Sequence, residues 1–293
     1  MMYYRRKIFL ALLESFDGTL DSTDFEKLLF LYCKKSNQNY YDFFPYKFGC
    51  FSHLSYQDKR VLIKYGFLEE SEKFKLKSKN SFVAELQETD KNILAEFSRE
   101  WKTIRGNRLV KETYLRYPEY AIKSEIAEKI LNIEELKTVK QHNYQFKDSI
   151  LFTTGYEGLT IDAYIHKLIV NNIKLVIDVR KNPLSMKYGF SKTKLKNYLE
   201  KAGIHYQHLP ELGIISKLRK NLKSSHDYEE LFSQYESDTL PENEDALKKI
   251  VQLLKQFNRI TLTCFEADHK LCHRHKISDW LTNNSLIDQV IHI

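Results

Sequence analysis

A chain of 293 residues with 42% hydrophobic residues can bury at least one sizeable core, and its length favours two domains. Its formal net charge of +7 permits a nucleic-acid partner without requiring one. Its apolar runs are shorter than the roughly 20 residues of a membrane span, and its four cysteines are too few for a disulfide scaffold. We therefore expect a soluble, cytoplasmic protein with reduced thiols and no membrane partner.

Residues 1–75 combine helical patterns with an aromatic, turn-rich segment. "RRKIFLALLESF" and "DSTDFEKLLFLYCKKS" predict two helices, and "SYQDKRVLIKYG" predicts a third that ends at Gly66. The successive segments "KLLFLY", "YYDFFPYKFGCFS" and "YGFLEE" resemble the SocA-like antitoxin domain, also called Panacea, and suit a winged-helix module. The resemblance implies a domain that binds partner proteins or DNA.

Two features of this segment allow a nucleic-acid role as well as a structural one. The aromatic residues within 40–51 are more typical of a small core than of a platform for stacked bases. Lys59, Arg60 and Lys64 would form a basic helix face that is either solvated or in contact with DNA. Residues 76–148 are helical and charged, and predict a connector packed against a neighbouring domain.

From residue 149 the sequence alternates between short apolar strands and amphipathic helices. "SILFTTGYEG", "TIDAYIHKLIVNNI" and "KLVIDVRKNP" predict a βαβ unit with a parallel strand pair. The last segments repeat helix, strand, helix and strand. We predict an α/β domain over residues 149–293, with a mostly parallel, Rossmann-like sheet flanked by helices, after a mainly helical, winged-helix-like domain over residues 1–75.

Polar residues recur where the predicted strands end, which is where parallel sheets bind ligands. The strand-end residues are Thr154, Gly155, Tyr156, Glu157, Asp178, Arg180, Asn182, Cys264 and Glu266, and a second glycine, Gly158, follows the first strand. Acids from three strands at one edge predict an active or binding site, with loop capping and charge pairing as the structural alternative. The glycines and the helix after them suit a phosphate, although the dinucleotide pattern G-x-G-x-x-G is absent.

The loop "RKNPLSMKYGFSKTKLKNYLEKAGI" interleaves basic and aromatic residues. Lys187 and Tyr188 beside the crevice suit a nucleic-acid backbone with an exposed base, and equally a solvated helix with its rings packed underneath. "YQHLPELG" then places His208 and Glu211 on a rigid, proline-containing loop.

Three segments in order are similar to the domain of unknown function 488 (DUF488) family. They are "TTGYEGLTIDAYI", "VIDVRKNPLSMKYGFSKTKLKNYLEKAGIHYQHLPELG" and "CFEADHKLCHR", and the resemblance covers about residues 150–285. The resemblance implies an α/β fold whose activity is unassigned. Nucleic-acid or nucleotide chemistry is the activity suspected for the family.

The segment "CFEADHKLCHR" allows a metal site, a thiol catalyst or an anion-binding turn. Its cysteines are eight residues apart and lack a second ligand pair, which disfavours a structural zinc site. The acids after Cys264 are expected to raise its pKa and make it a poor thiolate. Cys272, His273 and Arg274 begin a helix and favour an anion-holding turn, with a nucleophilic Cys272 or a purely structural turn as alternatives. We predict no metal and no cofactor.

The resulting working hypothesis is acid–base chemistry on nucleic acid or a nucleotide, as base excision or base modification. The predicted catalytic residues are Glu157, Asp178, Glu211 and Glu266. The predicted anion- or nucleic-acid-binding residues are Gly155, Tyr156, Gly158, Arg180, Lys187, Tyr188, His208, Cys272, His273 and Arg274. DNA is favoured over RNA, the N-terminal module would bind DNA or a protein partner, and its resemblance to a defence-associated type of module implies a role in phage defence.

Two alternatives stay open at this point. A non-enzymatic DNA-binding regulator with an anion-sensing α/β domain would also need basic loops, but it would tolerate loss of the acids. "VIDVR" also resembles the rhodaneses, and that resemblance implies sulfur transfer through a persulfide on Cys264 or Cys272.

Overall fold

The computed structural model describes residues 2–77, 81–144, 146, 148–215, 217–219, 222 and 224–293. The chain forms two compact units, Met1–Asn143 and Tyr144–Ile293. Among the described residues, no helix is both long enough and apolar enough to cross a membrane.

The first unit is mainly helical. Its helices, within the described residues, are α1 (Tyr4–Ser15), α2 (Ser22–Ser36), α3 (His53–Lys64), α4 (Glu88–Trp101), α5 (Gly106–Arg116), α6 (Ala127–Ile130) and α7 (Ile133–Gln141). Two short antiparallel ladders accompany them, formed by β1 (Thr19–Leu20) with β4 (Phe74–Lys75) and by β2 (Phe44–Tyr46) with β3 (Gly49–Phe51).

The core of this unit joins helices from the two predicted segments on either side of residue 75. Phe25 of α2 stacks on Phe74 of β4 with 4.1 Å between ring centroids. Leu94, Phe97 and Trp101 bury one side of α4 in the same core cluster. Apolar residues at helical spacing on α2 and α4 explain this packing, because each helix presents one apolar stripe.

The aromatic segment 40–51 contributes mostly to this core. Tyr41, Phe43 and Phe44 are buried, which confirms the structural interpretation for these three rings. Phe48 differs, since 48% of it is exposed. A base-stacking platform would need several exposed rings, so this segment acts chiefly as packing.

The basic face predicted on α3 contains fewer exposed cations than the sequence indicates, because Lys59 is buried. The Lys59 Nζ donates hydrogen bonds to the carbonyl oxygens of Ser71 at 2.9 Å and Glu72 at 3.0 Å, and Lys59 is buried. That burial lowers its pKa. The prediction that Lys59 shares an exposed face with Arg60 and Lys64 was wrong, because the Lys59 side chain turns toward these carbonyls.

The second unit is built on one five-stranded sheet, which confirms the α/β prediction. Its strands are β5 (Ile150–Gly155), β6 (Leu175–Asp178), β7 (His205–His208), β8 (Arg259–Cys264) and β9 (Val290–His292). Its helices are α8 (Ile161–Val170), α9 (Lys192–Lys201), α10 (Ser225–Gln234), α11 (Leu240–Glu242), α12 (Glu244–Phe257) and α13 (Arg274–Asn283).

All pairings in this sheet are parallel, and the strand order is β7-β6-β8-β5-β9. The predicted direct pairing of β5 with β6 is therefore wrong, because β8 lies between them. Every residue of β8 is buried, as expected for the central strand of a parallel sheet that is covered on both faces. The carboxyl ends of β5, β6 and β8 consequently meet at one edge.

Helices cover both faces of the sheet. On one face, Leu262 of β8 belongs to a core cluster with Leu247 and Ile250 of α12 and with Ile277 of α13. On the other face, the Tyr164 hydroxyl of α8 donates to the Thr263 hydroxyl at 2.9 Å. Successive strand residues point to opposite faces, which explains why Leu262 and Thr263 have different neighbours.

Candidate functional site

A pocket of about 440 Å³ opens at the carboxyl ends of β6 and β8. We call it the edge pocket. Its lining residues that the sequence predicted are Tyr156, Arg180, Glu266 and His273. Its other lining residues are Lys181, Asn182, Leu184, Ser185, Met186, Ile214, Arg219, Leu222, Tyr228, Cys264 and Phe265.

Asp178 and Arg180 form a buried ion pair at the wall of the edge pocket. The Nη2–Oδ2 distance is 2.5 Å and the Nε–Oδ1 distance is 2.8 Å, and the Tyr206 hydroxyl donates to Oδ2 at 2.7 Å. Burial lowers the pKa of Arg180, but the hydrogen bonds to Asp178 and the charge of that carboxylate raise the pKa by a larger amount. The guanidinium therefore stays charged. Asp178 lies outside the pocket lining, and its two hydrogen bonds to Arg180 orient that guanidinium.

Arg180 is fixed on its other side by aromatic residues. Its Nη1 donates to the Tyr156 hydroxyl at 2.7 Å and to the Phe190 carbonyl oxygen at 2.9 Å. The Tyr156 and Phe190 rings stack with 4.2 Å between centroids. A guanidinium held by four hydrogen bonds to three groups needs little reorganisation to meet an anion.

Glu266 is the predicted catalytic acid that lines the edge pocket. Its Oε1 forms an ion pair with Arg219, and its Oε2 lies 3.5 Å from the Cys264 Sγ. Glu211 lies instead in a neighbouring pocket of about 390 Å³, which shares Lys181 with the edge pocket. The four predicted acids therefore do not converge on one point.

Glu157 and Gly155 support the loop that carries Glu266. The Glu157 carboxylate accepts a hydrogen bond from the Ala267 backbone N–H at 3.0 Å. A Cβ added at Gly155 would overlap the Glu266 carbonyl oxygen, so only glycine allows the two backbones to lie this close. Both residues act on Glu266 from outside the edge pocket.

Cys264, Cys272 and His273 come together at the end of β8, and we call them the Cys–His group. Their two Sγ atoms and a ring nitrogen lie within 4.8 Å of one another, and each Sγ is 3.9 Å from the His273 Nδ1. The chain returns through a 3₁₀ turn at His269–Leu271, which places Cys272 beside Cys264. The eight-residue spacing thus hid a contact that the fold creates.

The hydrogen bonds of His273 define which of its nitrogens faces the thiols. Its Nε2 lies 3.1 Å from the Val179 carbonyl oxygen. A carbonyl oxygen only accepts, so Nε2 carries a proton and Nδ1 of the neutral ring presents its lone pair to Cys264 and Cys272. His273 is therefore a base or ligand toward sulfur.

The two thiols have opposite electrostatic environments. The Cys272 thiol donates to Cys264 and lowers the Cys264 pKa to about 7, against the effect of burial and with help from Arg219 and Arg274. Burial raises the pKa of Cys272 to about 12. The expectation that neighbouring acids make Cys264 a poor thiolate was wrong, because the hydrogen bond from Cys272, and after it the charge of Arg219, lower its pKa.

Arg274 braces the loop and does not line the edge pocket. It is 1% exposed, and its two Nη atoms donate to the carbonyl oxygens of Glu266 at 2.6 Å and Ala267 at 3.0 Å. Within the described residues, its charge has no carboxylate partner and its Nε has no hydrogen-bond partner. It supplies positive charge to the buried Cys–His group.

The remaining predicted binding residues stabilise loops. The Lys187 Nζ donates to the Tyr156 carbonyl oxygen at 2.9 Å, and the Tyr188 hydroxyl bonds to that of Tyr198 at 2.8 Å. Gly158 has φ +76°, which suits the turn before α8. The edge pocket lining contains none of these loop residues.

His208 and the start of α8 also lie outside the edge pocket. The His208 Nε2 lies 2.8 Å from the Arg180 carbonyl oxygen, and its Nδ1 accepts from the Lys192 Nζ at 2.9 Å. The Thr160 hydroxyl caps α8 by accepting from the Ala163 N–H at 3.1 Å. The start of α8, where the glycine pattern suggested a phosphate, is not part of the edge pocket lining, and anion binding there stays a prediction.

Sequence reasoning missed Arg219 and Phe265, and it included Lys181 only among the basic residues of the loop beside the crevice. Arg219 belongs to a segment without strand or helix periodicity, so no pattern placed it at the edge. The sequence contained one signal for the position of Lys181, which is Gly213, because a Cβ at residue 213 would overlap the Lys181 backbone. A glycine at such a position indicates that two backbone segments approach closely.

Fold and site together define the second unit as a parallel α/β domain with a cysteine–histidine group at the carboxyl end of its central strand. Residues 160–281 match the model of the family described as Domain of unknown function DUF488. This match confirms the resemblance predicted for the C-terminal half. No curated protein and no solved structure matches the chain. The resemblance of the first unit to the SocA-like domain stays a prediction.

Proposed function

We propose that the second unit is an enzyme that binds a nucleotide, free or within a nucleic acid, in the edge pocket and hydrolyses a bond of it there. Glu266 is the proposed general acid–base group. The observation that carries the proposal is the composition of the edge pocket, in which Glu266 lies among guanidinium groups and an exposed aromatic ring.

The positive groups of the edge pocket suit a phosphate. Arg180 is already oriented by its ion pair with Asp178, and four of its five N–H groups donate to Asp178, Tyr156 and Phe190, so it offers a phosphate its charge and a single hydrogen bond. Arg219 is partly exposed and Lys181 is exposed, so both can approach a ligand from solvent. Arg180 and Arg219 each have a carboxylate partner, so the exposed Lys181 supplies the additional positive charge that favours an anionic ligand.

The aromatic groups suit a planar base. Phe265 is 40% exposed and lines the edge pocket together with Tyr228. Stacking of a base on such a ring contributes about 1–3 kcal/mol. A volume of about 440 Å³ falls in the ~300–1,000 Å³ range of small-ligand sites. The edge pocket therefore suits a single nucleotide, and duplex DNA would have to present an extruded base.

The test compares turnover with binding. The full chain is incubated with nucleotides and with single- and double-stranded DNA and RNA, plain and base-modified, and the products are identified by mass spectrometry. Glu266→Gln keeps an oxygen for Arg219 but removes the ionisable group. We expect it to lower turnover by about 100-fold or more while ligand binding persists.

Glu244→Gln is the matched control, since Glu244 pairs with Lys248 on exposed α12. It should retain full turnover. Unchanged turnover in Glu266→Gln would overturn the proposed role of Glu266. Salt-sensitive binding without any product in the parent chain would overturn the enzyme proposal and support the anion-sensing regulator.

A further inference from the structure

We propose that Cys264, Cys272 and His273 bind one divalent metal ion of the zinc class, with a fourth coordination position directed at the edge pocket. Metal binding stands on the geometry of the Cys–His group alone. The use of the ion to activate water rests on the function proposed above.

The distances within the Cys–His group are close to those of a tetrahedral site. With metal–sulfur and metal–nitrogen bonds of ~2.3 Å and ~2.0 Å, neighbouring ligand atoms are ~3.5–3.8 Å apart. Each Sγ is 3.9 Å from the His273 Nδ1, and all three ligand atoms lie within 4.8 Å of one another. Side-chain rotations that move the ligand atoms by a few tenths of an ångström to about one ångström bring them to these tetrahedral distances.

His273 is oriented as a metal ligand. Its Nε2–H donates to the Val179 carbonyl oxygen, which leaves the Nδ1 lone pair aimed at the two thiols. Metal-bound histidines use their second nitrogen in this way, and the bond fixes the ring and raises its basicity. The edge of the ring also packs against Tyr235, at 5.6 Å between centroids. The ligand atom is thus placed before any ion arrives.

The chemistry of the three atoms favours zinc over magnesium or calcium. Thiolates and imidazole are soft or intermediate ligands, whereas magnesium and calcium prefer oxygen. Two thiolates also balance the charge of a divalent ion. Burial of all three ligands strengthens these interactions.

The number of ligands indicates a site for chemistry and not a purely structural one. Structural zinc sites have four protein ligands, whereas catalytic sites have three and an open position. Within the described part of the chain, the group contains no fourth histidine, cysteine or acidic ligand. Cys264 and His273 line the edge pocket, and the Glu266 Oε2 lies 3.5 Å from the Cys264 Sγ. A water at the open position would have Glu266 beside it to accept a proton.

The experiment measures metal binding to the reduced full chain, independently of activity. The chain, produced without a histidine tag, is treated with a chelator and titrated with Zn²⁺ and with Co²⁺. We expect one equivalent of either ion, a thiolate-to-cobalt charge-transfer band and the visible bands of tetrahedral cobalt. Excess Zn²⁺ should also raise the Tm, because the ion binds the folded chain.

Variants identify the ligands. Cys264→Ser, Cys272→Ser and His273→Ala should each weaken Zn²⁺ binding more than about 100-fold, because loss of even a supporting partner weakens it 10- to 100-fold. Cys33→Ser and Cys50→Ser are matched controls, since both thiols are buried in the first unit, and they should keep the full equivalent. If His273→Ala does not fold, the two serine variants decide the outcome.

Several results would overturn the proposal. These are the absence of a charge-transfer band in the reduced chain, a band that persists in Cys264→Ser, and a Cys264–Cys272 disulfide that persists under mild reductant. Turnover that continues in excess chelator would overturn the use of the ion in catalysis. Metal binding in a chain without turnover would leave the site standing and remove only the function proposed above, so the two failures are distinguishable.

Discussion

Arg180 and Asp178 are joined by two hydrogen bonds, at 2.5 Å and 2.8 Å, in a site where 7% of the arginine side chain and none of the aspartate is exposed. They are two residues apart at the end of β6, so the strand itself brings them together. Asp178 therefore holds the Arg180 guanidinium in place. Arg180 then faces the edge pocket with a fixed orientation.

Removal of Asp178 should therefore destabilise the fold. Asp178→Ala leaves the Arg180 guanidinium buried without its counter-charge, which costs about 3–5 kcal/mol in free energy of unfolding. Asp178→Asn keeps the shape and one acceptor, and should lose less. Urea denaturation measures both values.

Glu244→Ala is the comparison for this prediction, because it breaks an exposed pair with Lys248. Such pairs contribute at most about 1 kcal/mol. A loss below 1 kcal/mol in Asp178→Ala would show that the buried pair does not hold Arg180 in solution.

Two glycines at the end of β5 should respond differently to the same substitution. Gly155→Ala pushes a methyl group into the Glu266 backbone, and we expect a loss of about 3 kcal/mol or failure to fold. Gly158→Ala meets open space and only strains a backbone with φ +76°, at about 1–2 kcal/mol. Thermal unfolding of both variants tests the difference. Equal losses would contradict the close approach of residue 155 to Glu266.

The sequence predicted which residues lie at the carboxyl edge of the sheet, but not which of them contact one another there. Strand periodicity and strand ends are local properties, so Tyr156, Arg180 and Glu266 could be predicted as edge residues. The neighbours of a strand are not local, and nothing in the pattern of β8 states that it separates β5 from β6. For the same reason the spacing of Cys264 and Cys272 argued against a contact that the returning chain produces.

Charge pairing was equally hidden from the sequence. A carboxylate after a strand looks the same whether it faces a pocket, as Glu266 does, or lies under an arginine, as Asp178 does. Only the three-dimensional position of a partner such as Arg219 decides whether a neighbouring acid raises the pKa of Cys264. Of the four acids predicted as catalytic, Glu266 lines the edge pocket and the others do not, and the roles of all four stay predictions.

Lys59 and Lys64 lie on the same helix but should behave differently on substitution. Lys59→Met removes the donor to the Ser71 and Glu72 carbonyl oxygens and should cost about 1–2 kcal/mol in free energy of unfolding. Lys64→Met changes an exposed position of α3 and should stay within about 0.5 kcal/mol. Chemical denaturation checks both values. A Lys59→Met variant with the same free energy of unfolding as the parent chain would contradict the structural role of that ammonium group.

Asp90 of α4 accepts hydrogen bonds from three tyrosine hydroxyls of the first unit, and this arrangement predicts a loss of stability at high pH. The distances are 2.7 Å from Tyr4, 2.9 Å from Tyr32 and 2.8 Å from Tyr40. Burial, followed by the bond to Asp90, raises the pKa of Tyr4 to about 12. The same two causes raise the pKa of Tyr32 and Tyr40.

The sign follows from proton binding. In the unfolded chain these hydroxyls ionise near their ordinary pKa of 10.0, whereas in the folded chain they stay protonated toward pH 12. The folded chain then binds more protons in this window, so its stability is fully present below pH 10 and falls as the pH rises. Urea midpoints at intervals from about pH 9 to about pH 11.5 should decrease steadily, while tyrosinate absorption lags behind that of the unfolded chain.

Asp90→Asn isolates the contribution of this cluster from that of the other tyrosines. The neutral amide still accepts hydrogen bonds but no longer repels a tyrosinate, so the pKa of the three hydroxyls should fall and the decline in stability above pH 10 should become shallower. Asp21→Asn, which alters the exposed partner of Lys73, should leave the alkaline decline unchanged. An identical decline in Asp90→Asn and the parent chain would mean that the Asp90 charge does not govern the ionisation of Tyr4, Tyr32 and Tyr40.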